Sequence, residues 1–157
     1  MNEKYPFIPK SNAKLEVGEF WAIKLSNGKY ACGIVLDLPN KNESKKEFFA
    51  GLLDWKGDNK PNSIVLEHSS LKILRQGEAH IKTFLDKEEA ILGKIDIDKA
   101  NLILPFELNC GSYSIHSRVL QGYSIIRKAT NKDYEILSNR STWGYNVINI
   151  LAESYLG

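Results

Sequence analysis

Residues 18–36, GEFWAIKLSNGKYACGIVL, contain two strand-like runs joined by an Asn-Gly dipeptide. Apolar side chains follow the two-residue period of a strand along the first run and occupy both of its faces. They are Trp21, Ile23 and Leu25 on one face, and Phe20 and Ala22 on the other. Asn27 and Gly28 favour a type I′ turn, because both tolerate the positive φ angles that this turn requires. The segment therefore predicts a β-hairpin whose first strand is covered on both faces.

The second run is predicted to extend over residues 30–38 and to end before Pro39, which cannot donate a hydrogen bond to a neighbouring strand. Ala31 and Gly33 interrupt its larger apolar residues. Small residues inside a strand are typical of a bend or of a neighbour that approaches closely. We therefore expect the hairpin to curve, or to pack tightly, at this point.

Further strand-like runs follow after polar loops, at residues 47–55 and 63–67. Residues 15–67 are thus predicted to form a strongly curved β meander, similar to the small SH3-like barrels. Residues 1–13, with two prolines and little periodicity, are predicted to be an extended arm that precedes the meander.

The middle of the chain permits two interpretations. It is either a set of strands broken at Gly77 and Gly93, or a helix over residues 78–92. We favour the strands, which would lie at residues 71–74, 79–85 and 91–97. The segments LILPFEL, YSIHSRVL and GYSIIRKA are rich in β-branched and aromatic residues and are punctuated by Gly111 and Gly122. Residues 71–129 as a whole are therefore predicted to add further strands to the sheet.

The pattern becomes helical over residues 131–156. The segment TNKDYEILSN offers an N-cap and one or two helical turns, and Ser141 or Thr142 is the expected cap of a final helix. Apolar residues then recur every four positions, which predicts a stripe that packs on the sheet. The stripe contains Trp143, Val147, Leu151 and Tyr155.

Strands first and helices last indicate an α+β fold, with a strongly curved antiparallel sheet and C-terminal helices packed on it. The 157 residues are enough for one ordinary domain, which we expect to span 1–157. A content of 43% hydrophobic and 25% charged residues is typical of a globular chain.

Charge and hydropathy limit the expected partners and location. The net charge of +2 is far below the basic excess of nonspecific nucleic-acid binders, so no nucleic-acid partner is expected. No window has the roughly 18 consecutive apolar residues of a membrane helix, and the start MNEKYPFIPK lacks the apolar core of a secretory signal. The expected location is therefore cytoplasmic, without a membrane partner. In that reducing compartment Cys32 and Cys110 are expected to be unpaired, buried thiols.

Catalytic, cofactor and metal sites find little support in the pattern. Cys32 and one of the histidines, His68, His80 or His116, are the residue types of a nucleophile and its base. A cysteine in the middle of a strand, however, is more typical of an inert buried thiol. The chain has no paired Cys or His at metal-ligand spacing and no glycine-rich phosphate loop. We therefore predict no catalytic, cofactor-binding or metal-binding residue, and a protein that is not an enzyme.

Two regions are candidates for binding a protein partner. The first is Trp55 with Lys56 and Asp58, where an aromatic residue stands among charges at the junction of a strand and a loop. The second is residues 86–98, where five acidic residues against two lysines give a local charge of −3, which suits a basic partner. Its acidic residues are Asp86, Glu88, Glu89, Asp96 and Asp98.

The first third of the chain resembles the immunity protein 26 family of bacterial polymorphic toxin and contact-dependent inhibition systems. The resemblance rests on a glycine, an acidic and an aromatic residue, an apolar strand, a short glycine turn, and a Tyr-x-x-Gly-x-Val pattern. These residues are Gly18, Glu19, Phe20, Gly28, Tyr30, Gly33 and Val35. The W-x-G motif associated with the family is matched by Trp55-Lys56-Gly57.

This resemblance implies a cytosolic α+β immunity protein that binds a cognate toxin domain, often a nuclease, and neutralises it. Such a protein would act by occluding the toxin's active site or substrate groove, without reactive groups of its own. Trp55, Lys56, Asp58 and the five acidic residues are the candidate toxin contacts. The alternative, which the curved meander and its aromatic residues suggest, is an SH3-like module that binds nucleic acid or peptide.

Overall fold

The computed structural model of the protein describes residues 4–40, 43–110 and 114–157. Five strands form its larger, antiparallel sheet. They are Glu19–Lys24 (β1), Tyr30–Asp37 (β2), Glu47–Gly57 (β3), Ile73–His80 (β4) and Ile91–Lys94 (β5). The order across the sheet is β4-β3-β2-β1-β5, so the predicted meander of the first three strands is confirmed. The sheet keeps two edges, at β4 and β5, and is not a closed barrel.

The β1–β2 hairpin is confirmed, but its predicted type I′ turn is wrong. Gly28 alone has a positive φ, +86°, and the loop has three residues because the Leu25 N–H donates to the Lys29 carbonyl at 2.8 Å. Asn27 does not enter the left-handed region. Its side-chain oxygen instead accepts a hydrogen bond from the Lys29 N–H at 2.9 Å, which stabilises a turn in which only the glycine needs a positive φ.

Both faces of the larger sheet are covered, as the apolar residues of β1 predicted. On one face Trp21 packs among Phe48, Phe84 and other residues of a first core layer. On the other face Phe20 and Ile34 belong to a second core layer. Gly33 makes the close approach that its size predicted, because a Cβ there would lie 2.4 Å from Cζ2 of Trp21.

The predicted strand at residues 63–67 is wrong, since Ser63–Glu67 is a helix, α1. Asn62 caps it by accepting a hydrogen bond from the Val65 N–H at 2.9 Å. Leu66 is buried in the second core layer, whereas Ile64 and Val65 are exposed. The apolar run from Ile64 to Leu66 fits a short buried strand as well as a helix by composition alone. The Asn62 cap stabilises the helix.

The strands predicted at residues 79–85 and 91–97 and the alternative helix over 78–92 are also wrong in extent. Strand β4 continues through Gly77, which lies against the Trp143 ring, and the chain then turns into a single helical turn, Lys82–Leu85 (α2). Helix α2 places Phe84 against Trp21 and Phe48, with ring centroids 4.9 and 5.3 Å apart. Burial of this aromatic side chain favours the turn over a longer strand.

A smaller antiparallel sheet consists of Glu107–Leu108 (β6), Arg118–Gln121 (β7) and Ser124–Lys128 (β8), in the order β6-β7-β8. The strands predicted between residues 102 and 129 are therefore present but shorter. The predicted break at Gly111 lies outside the described residues.

Helices α3 (Asn131–Ile136) and α4 (Val147–Leu156) confirm the predicted C-terminal helices. The predicted cap of the last helix is wrong, because α4 begins only after Asn146. Of the predicted stripe, Trp143, Val147 and Leu151 do pack on the first core layer, although Trp143 precedes the helix. The fully buried residues of α4 include Ile148 and Ala152, which were not part of the predicted stripe, and Tyr155 is 49% exposed. The α+β class, with helices packed on a curved sheet, is thus confirmed.

Residues 138–143, which we call the connecting segment, join the two sheets. At its start the Leu108 N–H of β6 donates to the Ser138 carbonyl at 2.9 Å. At its end the Glu78 N–H of β4 donates to the Ser141 carbonyl at 2.9 Å, and the Trp143 N–H donates back to Glu78 at 2.7 Å. The segment therefore pairs with the outer edges of β4 and β6 at one residue each, Glu78 and Leu108.

The arm near the N-terminus covers a third edge. Phe7 pairs with Ile91 of β5, with backbone hydrogen bonds of 3.1 and 2.7 Å between the two residues. The arm is thus held by the sheet at this residue.

Candidate binding surfaces

Trp55, Lys56 and Asp58 lie together at one end of β3 but do not form one contact surface. Trp55 is half-buried on the second core layer, and its ring covers Gly57, where a Cβ would lie 2.6 Å from the indole. The Lys56 ammonium donates to the Leu156 carbonyl at the end of α4, at 3.1 Å. Asp58 is exposed and forms an ion pair of 3.7 Å with Lys29.

The acidic run divides between separate surfaces. Glu88 and Glu89 line a concavity of about 400 Å³ near the β1–β2 hairpin. Three lysines, Lys24, Lys60 and Lys87, line the same concavity, so its charge is mixed. The residues that the sequence grouped as acidic are therefore accompanied in space by basic residues from elsewhere in the chain.

Asp96 and Asp98 lie beyond β5 and line a different cavity, of about 410 Å³. The Asp96 carboxylate accepts hydrogen bonds from the N–H groups of Asp98 and Lys99, at 3.0 and 3.3 Å, and thus holds the local turn. Asp86 is exposed at the end of α2. The assignment of these residues as toxin contacts stays a prediction.

Glu89 is electrostatically unusual in this set. Burial raises the pKa of its carboxyl group to about 7, against a smaller opposing effect of Lys87. Within the described part of the chain, its Oε2 atom is buried and has no hydrogen-bond partner. A carboxyl group in this position takes up a proton near neutral pH.

A cleft of about 540 Å³ lies between β4, residues 105–107 and the residues after α3. Phe106 and Ile136 are exposed at its walls, and Gln76 and Glu107 are almost fully buried there. Burial raises the pKa of Glu107, while Arg140, whose Nε lies 3.8 Å from the carboxylate, lowers it. The cleft therefore combines apolar walls with a buried carboxyl group.

Cys32 and the histidines do not form a nucleophilic pair. Cys32 is completely buried in β2, and desolvation raises the pKa of its thiol. His68 Nδ1 lies 2.7 Å from the Ile64 carbonyl, and His80 Nδ1 accepts a hydrogen bond from the Lys82 N–H at 3.1 Å. Cys110 is only half-buried, not buried as predicted.

Neither a metal-ligand cluster nor a membrane-crossing helix occurs in the parts of the chain that the structure describes. No three His, Cys, Asp or Glu residues come together there in a way that could hold an ion. No helix there reaches the length and hydrophobicity that a membrane crossing needs.

Strand β8 is a surface that the sequence did not single out. All five of its residues are exposed, and its two isoleucines, Ile125 and Ile126, are 68% and 41% exposed. Two consecutive isoleucines are more typical of a strand buried on both faces, so periodicity alone gives no signal for this exposure. The exposure arises because β8 is the last strand of the small sheet and α3 covers that sheet on the side of Leu108 and Val119.

Comparison of the chain with protein-family models, with curated proteins and with solved structures gave no match.

Proposed function

We propose that this protein is a cytosolic immunity protein that binds a cognate toxin domain and neutralises it by occluding its active site or substrate groove. The observation that carries the proposal is strand β8, a five-residue strand with every residue exposed and two large apolar side chains among them. Exposed apolar surface on a sheet edge is costly in water and prone to uncontrolled association, so a partner that covers it explains why it is present. The class of partner, a toxin such as a nuclease, rests on the resemblance of the first hairpin and of Trp55-Lys56-Gly57 to the immunity protein 26 family.

A surface of this kind suits occlusion. Ile125 and Ile126 provide apolar area that becomes buried on binding, and neighbouring charges steer the encounter and select the partner. Trp55, Asp58, Glu88 and Glu89 are proposed as further contacts, since each is at least partly accessible.

The proposal is tested with the toxin domain encoded immediately upstream, mixed with the protein at micromolar concentration. We expect the two to elute together in size-exclusion chromatography. Ile125→Asp is expected to weaken the complex at least about tenfold, because it places a charge in the buried contact. Ile103→Asp is the matched control, since Ile103 is 77% exposed and lies outside the strands of both sheets.

Separate elution of the unmodified proteins would contradict the proposal. If Ile125→Asp and Ile103→Asp weaken the complex equally, the proposed function stands, but β8 is not part of the contact with the toxin.

A nucleic-acid-binding module is the second candidate, and one observation favours it. Arg118, Lys128 and Lys132 are absent from the ion pairs formed among the described residues, which leaves three positive charges near β8. Titration with single-stranded DNA and RNA at two salt concentrations discriminates, because binding through phosphates weakens steeply as salt rises. Salt-sensitive binding at submicromolar concentration would favour this module over the immunity protein.

A further inference from the structure

Strand β8 differs from the other outer strands because no described segment pairs with its outer edge. The outer edge of β5 is paired with Phe7, and the connecting segment pairs with the outer edges of β4 and β6. Strand β8 pairs with β7 only, and among residues 4–40, 43–110 and 114–157 none is paired with its other side. Alternate N–H and C=O groups of a strand point to that side, so β8 presents backbone donors and acceptors to solvent.

Strand β8 combines exposed apolar side chains with two common means of protecting an edge, a bulge and charged residues. Ile125 and Ile126 are both exposed, and as successive residues of a strand they lie on opposite faces of the small sheet. A bulge does occur in β8, where the pairing with β7 shifts between Val119 and Leu120. It shortens the regular edge, which limits the length of chain that can pair there.

The charged residues near β8 indicate which kind of chain its free edge would bind. Every charged residue between positions 114 and 132 is basic: Arg118, Arg127, Lys128 and Lys132. Arg127 is neutralised by Asp133, with two hydrogen bonds of 2.7 and 2.8 Å, but the other three have no ion-pair partner in the described part of the chain. A second copy of this chain would bring basic residues next to basic residues, so charge complementarity favours an acidic occupant.

We propose that β8 receives an extended segment of the protein partner, with acidic and apolar residues in alternation, which adds to the small sheet as a fourth strand. Main-chain hydrogen bonds to β8 would hold the segment, its carboxylates would pair with Lys128 and Arg118 on one face of the small sheet, and its apolar residues would lie on the other face with Ile126. The inference rests on the proposed function for the identity of the partner as a toxin domain, but the chemistry of the segment follows from β8 itself.

The test uses the full chain and three short acetylated and amidated peptides. The first alternates glutamate with valine, the second alternates lysine with valine, and the third has the glutamates of the first but proline in place of valine. We expect saturable binding of the first peptide only, because the lysine peptide is repelled and the proline peptide lacks alternate N–H donors. Binding should slow amide hydrogen exchange in β8 and leave exchange in β1 unchanged.

A charge variant locates the site. Lys128→Glu is expected to weaken binding of the glutamate-valine peptide about tenfold, the equivalent of about 1.4 kcal/mol. Lys10→Glu makes the same change in net charge at an exposed position of the N-terminal arm and should leave binding unchanged.

Each other outcome overturns the inference in a distinct way. Equal binding of the two acidic peptides would mean attraction by charge without strand addition. Binding of single-stranded nucleic acid to the same residues, in preference to the peptide, would assign the basic residues to phosphates. If the toxin domain binds but the glutamate-valine peptide does not, strand addition at β8 is overturned and the proposed immunity function stands. If the peptide binds but the toxin domain does not, strand addition at β8 is supported and the proposed immunity function is contradicted.

Discussion

At the scale of single residues, the sequence of the β1–β2 hairpin is explained by packing. Gly33 has no side chain because the Trp21 ring occupies that space, and Cys32 is sealed in the second core layer. Glu89 differs from these residues because it is titratable and its environment disfavours the charged carboxylate. Its Oε2 atom is buried and has no hydrogen-bond partner in the described part of the chain. Residues of the first kind stabilise the fold at any pH, whereas Glu89 makes stability depend on pH.

Glu89→Gln should change that pH dependence. Burial raises the pKa of Glu89 to about 7 in the folded protein, and an unfolded glutamate titrates at about 4.3. The folded state therefore binds the proton more tightly, and the free energy of unfolding falls as the pH rises between these two values. Because Glu89 is half-buried, solvent screens part of this effect. We expect the free energy of unfolding of the unmodified protein to fall by about 1–2 kcal/mol, relative to that of Glu89→Gln, between about pH 4 and about pH 8.

Urea denaturation at a series of pH values measures this difference. Glu88→Gln, a change at the neighbouring exposed carboxylate, is the control and should retain the pH dependence of the unmodified protein. Parallel pH profiles for Glu89→Gln and the unmodified protein would show that Glu89 is not the group responsible.

At the scale of elements, the short helices depend on specific side chains for their stability. Helices α1, α2 and α3 have only four to six residues each, too few to be stable alone. Helix α3 is held by Asp133, which accepts hydrogen bonds from the Thr130 N–H at 2.7 Å and from the Arg127 guanidinium of β8. The same carboxylate thus caps a helix and ties it to the exposed strand.

Asp133→Asn should loosen α3 and β8 together. Arg127 first, and then Thr130, hold the pKa of Asp133 below its usual range, so the carboxylate stabilises the fold above the unfolded pKa of about 3.9. This stabilisation disappears as the pH falls through the lower pKa of the folded state. We expect a lower urea midpoint and faster amide exchange in residues 124–136 at neutral pH, and a difference that shrinks in acid.

Glu135→Gln, on the same short helix at an exposed position, is the control and should have little effect. Unchanged exchange in β8 after Asp133→Asn would mean that the small sheet does not depend on this ion pair.

At the scale of the whole molecule, the connecting segment makes two sheets one unit. Its hydrogen bonds reach Leu108 of β6 at one end and Glu78 of β4 at the other. Trp143 at its end is buried in the first core layer against Gly77. The connecting segment is one of several links between the sheets, since the Tyr123 N–H of the β7–β8 turn donates to the Asp37 carboxylate of β2 at 2.7 Å and the Tyr123 ring packs edge-on against Phe49 of β3.

Trp143→Ala should destabilise both sheets. Removing a buried tryptophan leaves a cavity and typically costs about 3–5 kcal/mol. If the connecting segment couples the sheets, far-UV circular dichroism and amide exchange in β7 and β8 will report one unfolding transition, displaced to lower urea concentration. Tyr145→Ala, at a residue 47% exposed, should cost less than about 1 kcal/mol. Loss of the small sheet alone at low urea would show that the sheets unfold independently.

Much of the large sheet was predictable from sequence, and little of the candidate contact surface was. The meander of β1 to β3 and the coverage of both faces of β1 follow from local alternation and from turn residues. Residues 63–67 and 79–85 were mistaken for strands because short apolar runs fit a strand and a helix equally well. The acidic residues at 86–98 were grouped by their position in the chain, but only the fold could show that Lys24 and Lys60 stand beside Glu88 and Glu89.

The sequence by itself determined the α+β class, the first hairpin with Gly28 in its turn, and the C-terminal helices, because each depends on interactions between residues close in the chain. The tertiary structure alone decided which strand edges are covered. Two of the five residues of β8 are isoleucines, yet its edge is exposed because Phe7 and the connecting segment pair with the other edges and no described residue pairs with this one. Burial of an edge depends on contacts between distant parts of the chain, and local patterns do not record them.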